Sequence, residues 1–150
     1  MEKISNYISY KEGIFSTTAE RLGIDNTPSA SILANMVNTA CNVFEPLRTH
    51  FNHPISVLSF FRCPALNKAV GGASNSQHMT GEAIDLRATG IETNADLFNY
   101  IKTNLPFDQL IWEFGDDHNP SWVHVSFSRR NRKSILKATK TNGHTVYSSF

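Results

Sequence analysis

The chain has only two cysteines, Cys41 and Cys63, and no C-x-x-C pair among its 150 residues. That leaves no basis for a zinc ribbon or a disulfide framework. Both are expected to be small buried or half-buried thiols, Cys41 in a helix and Cys63 just after a strand. Long apolar runs are also missing; nothing approaches the roughly 20 residues that a membrane-spanning helix needs. An excess of one charge is lacking too: 14 Lys and Arg against 13 Asp and Glu leave a formal net charge of +1. No overall field therefore argues for nucleic acid or a membrane as partner. The opening "MEKISNYISYKEG" is too polar for a signal peptide. Synthesis in the cytoplasm is expected, with any action elsewhere requiring release or delivery. No internal repeat or low-complexity segment occurs, and the length predicts a single domain over residues 1–150.

What is present is a succession of short periodic segments. "STTAERLG" carries a capping-box pattern from Thr17 to Glu20, with Gly23 as a stop. Apolar residues then recur at helical spacing from Ile32 to Phe51, opening near Pro28 and Ser29, and Pro46 should kink or divide that helix. "PISVLSFFR" (54–62) is β-branched and aromatic, a strand. "PALNKAV" is a short helix opened by Pro64 and closed by Gly71 and Gly72. A polar loop leads into a strand over 82–88. "NADLFNYIKTNL" is an amphipathic helix with Asn94 as cap. "FDQLIWEF" and "WVHVSF" alternate at period two around the turn formers "GDDHNPS", which predicts an antiparallel hairpin. The basic run "SRRNRKSILKATK" (128–140) reads as a solvated face or tail, with contact to an anionic polymer as the alternative. The whole is α+β: N-terminal helices, then a small antiparallel sheet.

Three features carry chemistry. In "SQHMTGEAIDLR" (76–87), His78 lies in the loop and Asp85 inside the following strand, with Gly81 making the turn between them. Asp85 between Ile84 and Leu86 is costly to bury unless something pairs it. A zinc ion would do so, since it takes imidazole nitrogen and carboxylate oxygen; Arg87 or Arg62 would also serve. His124 in "SWVHVSF" shares a strand face with Trp122 and Ser126 and is a third possible donor. Arg62 ends a strand, where it could bind a carboxylate bidentately, stabilise an oxyanion, or form a surface ion pair. On spacing alone these alternatives stay open.

The pattern S-x-H-x-x-G-x-A-x-D (Ser76, His78, Gly81, Ala83, Asp85), with a later W-x-H-x-S (Trp122, His124, Ser126), resembles the zinc D-Ala-D-Ala carboxypeptidase family. That family includes phage endolysins and belongs with the hedgehog-like, lysostaphin-related metallopeptidases. "LGIDNTP", "PLRTHF", "FFRCPALNKAVGGASNSQH" and "QLIWEF" are similar to its single-domain branch in phages and bacteria. The likeness runs from about residue 17 to 128, leaving 129–150 as a basic tail.

The resemblance implies one Zn2+ per chain, held by His78, Asp85 and His124. It implies that Arg62 holds a substrate carbonyl or carboxylate and that Ser76 is a lesser contact. Many relatives place a catalytic acid three residues before the last histidine, where this chain has Ser121. Glu113, which ends the strand expected to pair with that of His124, is the expected proton carrier, supported by the resemblance to "LI-x-E", with Asp116 and Asp117 as rivals. His118 is read as a turn residue, Glu82 as a solvated strand residue, and His50, His53 and His144 join no constellation. The implied substrates are peptidoglycan stem peptides, cut at the end or internally by direct hydrolysis, and the expected state is a monomer. The alternative is a non-catalytic, zinc-containing wall-binding or virion tail module. A nucleic-acid role has no motif behind it.

Overall fold

A computed structural model describes residues 1–150. Alternation at period two builds six strands: β1 (Ile55–Ser59), β2 (Ala83–Ala88), β3 (Gln109–Glu113), β4 (Trp122–Ser126), β5 (Ser134–Thr141) and β6 (His144–Ser149). They form one sheet in the order β1-β2-β4-β3-β5-β6. All neighbours are antiparallel except β3 and β5, which run parallel. The expected small antiparallel sheet is thus larger and mixed, and residues expected as a basic tail form its last two strands. Asn142 (φ 50°) and Gly143 (φ 79°) make the tight turn between them, the left-handed pair that a two-residue hairpin requires.

Because side chains alternate across a sheet, its two faces differ. Ile84, Leu86, Leu110, Trp112, Val123 and Val125 point one way into the hydrophobic core. The other face carries Asp85, Glu113 and His124, which the strand register places in adjoining rows: Asp85 opposite His124, His124 opposite Ile111, Glu113 opposite Trp122.

The helices are α1 (Tyr10–Ile14), α2 (Thr17–Leu22), α3 (Ala30–Thr39), α4 (Glu45–Phe51), α5 (Pro64–Ala69) and α6 (Asn94–Asn104). Four precede the sheet, but α5 and α6 are interleaved with the strands, so the helices are not simply N-terminal. Both α3 and α6 pack on β2, and α6 also reaches β3 and β4. The long helical pattern is divided, as Pro46 predicted: a π-helical turn over Ala40–Phe44 separates α3 from α4. Proline inside a helix loses a hydrogen bond and clashes with the preceding turn, at a cost of about 3 kcal/mol. The wider turn, with the Glu45 N–H donating to Ala40 O, accommodates it.

Other boundaries moved by a residue or a few. Ser16, not Thr17, caps α2, although Gly23 closes it in the left-handed conformation as expected. Thr93, not Asn94, caps α6 and forms a reciprocal capping box with Asp96. Buried Asn94 instead accepts from Ala88 N and donates to the carbonyls of Pro120 and Ser121, tying three loops together. β1 stops at Ser59, and the polar loop before β2 contains a 3-10 turn over Gln77–Thr80. Cys63 is half-buried, but Cys41 is exposed, on the solvent side of its helix rather than inside.

Candidate functional site

Chain geometry around β1 and the 3-10 turn fixes the first two side chains of the site. After β1 the backbone is pinned by Asn26, whose amide donates to Ile14 O and Phe61 O and whose carbonyl accepts from Cys63 N at 2.7 Å. Arg62 therefore leaves a held segment. Its Nε donates to Asn67 Oδ1 at 3.2 Å, and its terminal nitrogens lie 3.5 Å from Ser59 Oγ and 3.4 Å from Ser76 Oγ. Asn67 is buried and also donates to Ala73 O. A Cβ on Gly72 would come within 2.1 Å of Asn67 Oδ1, so glycine at 72 is what lets Asn67 reach the arginine.

His78 sits in the 3-10 turn, which Gly81 closes at φ 74°. A side chain at 81 would also strike Ile32 O and Met36, each at 2.7 Å, so the turn packs directly on α3. His78 Nδ1 lies 2.7 Å from Phe60 O. That carbonyl can only accept, so Nδ1 carries the proton and a neutral His78 presents Nε2 as a lone pair. Asp85 Oδ2 faces Nε2 at 3.2 Å, while His124 Nδ1 lies 3.0 Å from Asp85 Oδ1. Burial alone would raise the Asp85 pKa. The two imidazoles, His78 foremost, outweigh it and hold the group well below the usual carboxylate range.

This donor set fits a metal ion. With His78 neutral, two lone pairs meet at Nε2 and Oδ2, and either a cation or a second ring proton must resolve the contact. Four ligands at 2.0–2.1 Å in a tetrahedron stand about 3.3 Å apart, close to the 3.2 Å and 3.0 Å found here. One donor atom from each of His78, Asp85 and His124 lies within 4.8 Å of the others. His124 presents Nδ1 to this group, while its Nε2, on the far side of the ring, is buried without a partner in the protein. The His78–Phe60 bond is the outer support that orients a ligating imidazole.

Glu113, at the end of β3, is 7% exposed. Burial pushes its carboxyl up to about 7; the nearby charge of Asp85 adds to the rise, and those of His124 and Arg62 oppose it. Burial lowers the Arg62 pKa, while Asp85 and Glu113 work to raise it. Arg62, Ser76, His78, Asp85, Glu113 and His124 all line one cleft of about 520 Å³. Ser121 is exposed and outside that lining; its backbone N–H donates to Glu113 O. Asp116 and Asp117 are exposed in the turn, where Asp116 accepts from the N–H groups of His118 and Asn119 and Asp117 pairs with Lys137. Neither reaches the cleft, and His118 stays in the turn. Glu82 accepts from Thr80 Oγ1, and His50 stacks on Tyr100, away from the site.

A family model described as Peptidase M15 matches residues 6–126. The chain belongs to the peptidase M15 family. No curated protein matches it. Peptidases of family M15 are zinc-dependent, and the His78–Asp85–His124 group is compatible with that metal. The matched span ends within β4's last residue, so β5 and β6 lie beyond it. The cleft nonetheless includes Leu136, Lys140, Thr145 and Tyr147 from those two strands. Sequence reasoning missed Leu136, Thr145 and Tyr147 and took Lys140 only as part of a basic tail. The signal was there in Asn142–Gly143, a hairpin dipeptide flanked by alternating residues, hidden beneath a run that reads first as charge.

Proposed function

We propose that this M15 peptidase hydrolyses peptide bonds in the stem peptides of bacterial peptidoglycan, with one zinc ion held by His78, Asp85 and His124. The observation that carries the proposal is the convergence of these three donors beside a buried glutamate whose pKa lies near neutrality. When bound, zinc supplies Lewis-acid chemistry, acidifying water and polarising a carbonyl.

The protein's own residues do the rest. Glu113 takes a proton from the attacking water and delivers it to the leaving amine. A carboxyl near 7 suits both tasks, because base and acid forms coexist at neutral pH. Arg62, held by Asn67, aims its guanidinium into the cleft and stabilises the negative charge that develops on the carbonyl oxygen. Ser76 shares the arginine's outer nitrogen and contributes a hydroxyl to the substrate side. Neither cysteine lines the cleft, which supports direct hydrolysis rather than a covalent intermediate. The likeness of "QLIWEF" and "FFRCPALNKAVGGASNSQH" to phage and bacterial members supports a lytic, endolysin-type role. No helix is long and apolar enough to cross a membrane.

Mass spectrometry of purified peptidoglycan incubated with zinc-loaded protein tests the proposal, with a His124→Ala control. Fragments absent from the control are expected, and their masses name the bond. No cleavage across several wall chemotypes, with zinc still bound at one equivalent, would instead leave a zinc-containing wall-binding or tail module.

A further inference from the structure

Residues beyond the family match return to the cleft, and the strand register shows how. β5 sets Leu136 beside Ile111 and Ala138 beside Glu113; β6 then sets Tyr147 beside Ala138 and Thr145 beside Lys140. Directly paired residues project to the same face, so Leu136, Lys140, Thr145 and Tyr147 stand on the face that carries Glu113 and His124. Neighbouring strands about 4.8 Å apart put Tyr147 only about 10 Å from Glu113, backbone to backbone. Between them is the methyl group of Ala138, fully buried, over which a tyrosine ring can lean. Tyr147 is about half exposed; its partial burial, and then the charges of Glu113 and Asp85, raise the phenol above its ordinary pKa. It therefore remains a protonated donor within the field of the site.

The far end of this wall is aromatic and cationic. The rings of Phe114 and Trp122, both in the cleft lining, lie 5.4 Å apart, and the Lys140 ammonium sits 5.6 Å from the Phe114 centroid. Of the other cations lining the cleft, Arg132 is engaged by Asp108 and Arg62 by Asn67, while exposed Arg130 lies before the hairpin. Lys140 enters no ion pair. If the hairpin merely sealed the sheet edge, its cleft-side residues would have no reason to bring a cation without an ion-pair partner and a phenol to the cleft that Arg62, Ser76, Phe114 and Trp122 also line.

We propose that the C-terminal hairpin is a substrate-recognition wall: Tyr147 donates a hydrogen bond to the bound peptide, and Lys140 receives a substrate carboxylate against the Phe114 and Trp122 rings. This rests on the peptidase reading above. It makes the enzyme selective for peptides carrying a free acidic group on one side of the cut bond.

The test uses the full, zinc-loaded chain and two synthetic stem peptides that differ only in one side-chain carboxylate, free in the first and amidated in the second. Wild-type protein is expected to prefer the free acid roughly tenfold in KM, the scale of one charge-assisted hydrogen bond at an open site. Lys140→Gln should erase that preference by raising KM for the free acid alone. Tyr147→Phe should raise KM for both peptides about fivefold, acting through KM rather than kcat, with zinc content and melting temperature unchanged. KM values within twofold of wild type for both variants would overturn the proposal while leaving the peptidase standing. If wild type cleaves neither peptide, the peptidase reading fails, and calorimetric Kd values decide the wall separately. A preference for the free acid that Lys140→Gln removes supports it; equal Kd values, or no binding, overturn it.

Discussion

Between β2 and β4 the open face of the sheet holds Asp85 between two imidazoles, in strands where Ala83, Ile84, Leu86 and all of 123–126 are buried. Three strands further along the sheet, β6 is exposed at every residue from His144 to Ser149. The first region is supported from behind by α3 and α6 and by layers of hydrogen bonds to Phe60 O, Thr39 and Asn26. The second rests on its ladder to β5, with Phe150 just beyond it packing on Phe98 and Trp112. Such a division suits a hydrolase: donor atoms must be held to fractions of an ångström, whereas a recognition wall can be built from replaceable surface residues.

The largest difference between the two regions should come from Asp85→Asn. Removing the carboxylate's charge takes away the group that both imidazoles face, and the loss of zinc affinity should exceed the roughly 10–100-fold that an outer-layer residue costs. Metal analysis after dialysis should find the variant near zero equivalents with activity abolished. Retention of a full equivalent would break the assignment of the centre.

Glu113→Gln should leave zinc bound and lower kcat by about 10²–10⁴-fold, the usual worth of a positioned proton carrier. The pH dependence has a definite sign. As base, Glu113 must be ionised, so kcat/KM should fall as pH drops through its pKa of about 7; a zinc ion nearby favours the carboxylate and moves that limb to lower pH. Stability of the metal-free protein should run the other way. A folded pKa raised above 4.5 contributes stability below pH 4.5 that is lost as pH rises to about 7. Denaturant titrations should show Glu113→Gln flattening that decline. Asp85 has the opposite sign: its depressed pKa contributes stability above its unfolded pKa, lost on acidification.

Gly72→Ala tests the support beneath Arg62. Its Cβ must displace the Asn67 carboxamide, and a loosened guanidinium should lower kcat/KM about tenfold, given that one charge-assisted hydrogen bond is lost. Zinc content should not change. An unchanged kcat/KM would show that Arg62 needs no help from Asn67.

The same division explains what could be read from sequence. His78, Asp85 and His124 stood out as candidate donors by residue type, with Gly81 marking the turn, but spacing left ion-pair alternatives open and only the resemblance joined the three into a ligand set. Glu113 was read from its place at the end of the strand paired with that of His124 and from resemblance, but the spacing of an alternating strand could not show that it is buried. Asn67 and Gly72, which position Arg62, carry no local signal, because their role depends on a contact across a loop. The parallel pairing of β3 with β5 was invisible for a physical reason. Lys137 and Lys140 give the segment a charged surface, and only tertiary placement turns its alternate residues towards a cleft.

The smallest effect is expected at the hairpin turn, where Gly143 adopts φ 79° and a side chain meets no neighbouring atom. Gly143→Ala therefore costs only the backbone strain of a left-handed residue, about 1–2 kcal/mol. Because β6 pairs with β5 alone, that cost should fall on local opening of the hairpin more than on the central strands. Amide exchange is the discriminating measurement. Amides of β5 and β6 should exchange roughly 5- to 30-fold faster, while those of β2 and β4 keep their protection. Equal acceleration in both regions would mean that the sheet opens as one unit. The exposed hairpin would then be part of the scaffold that holds the metal donors, and the contrast between a rigid centre and a separable wall would fall.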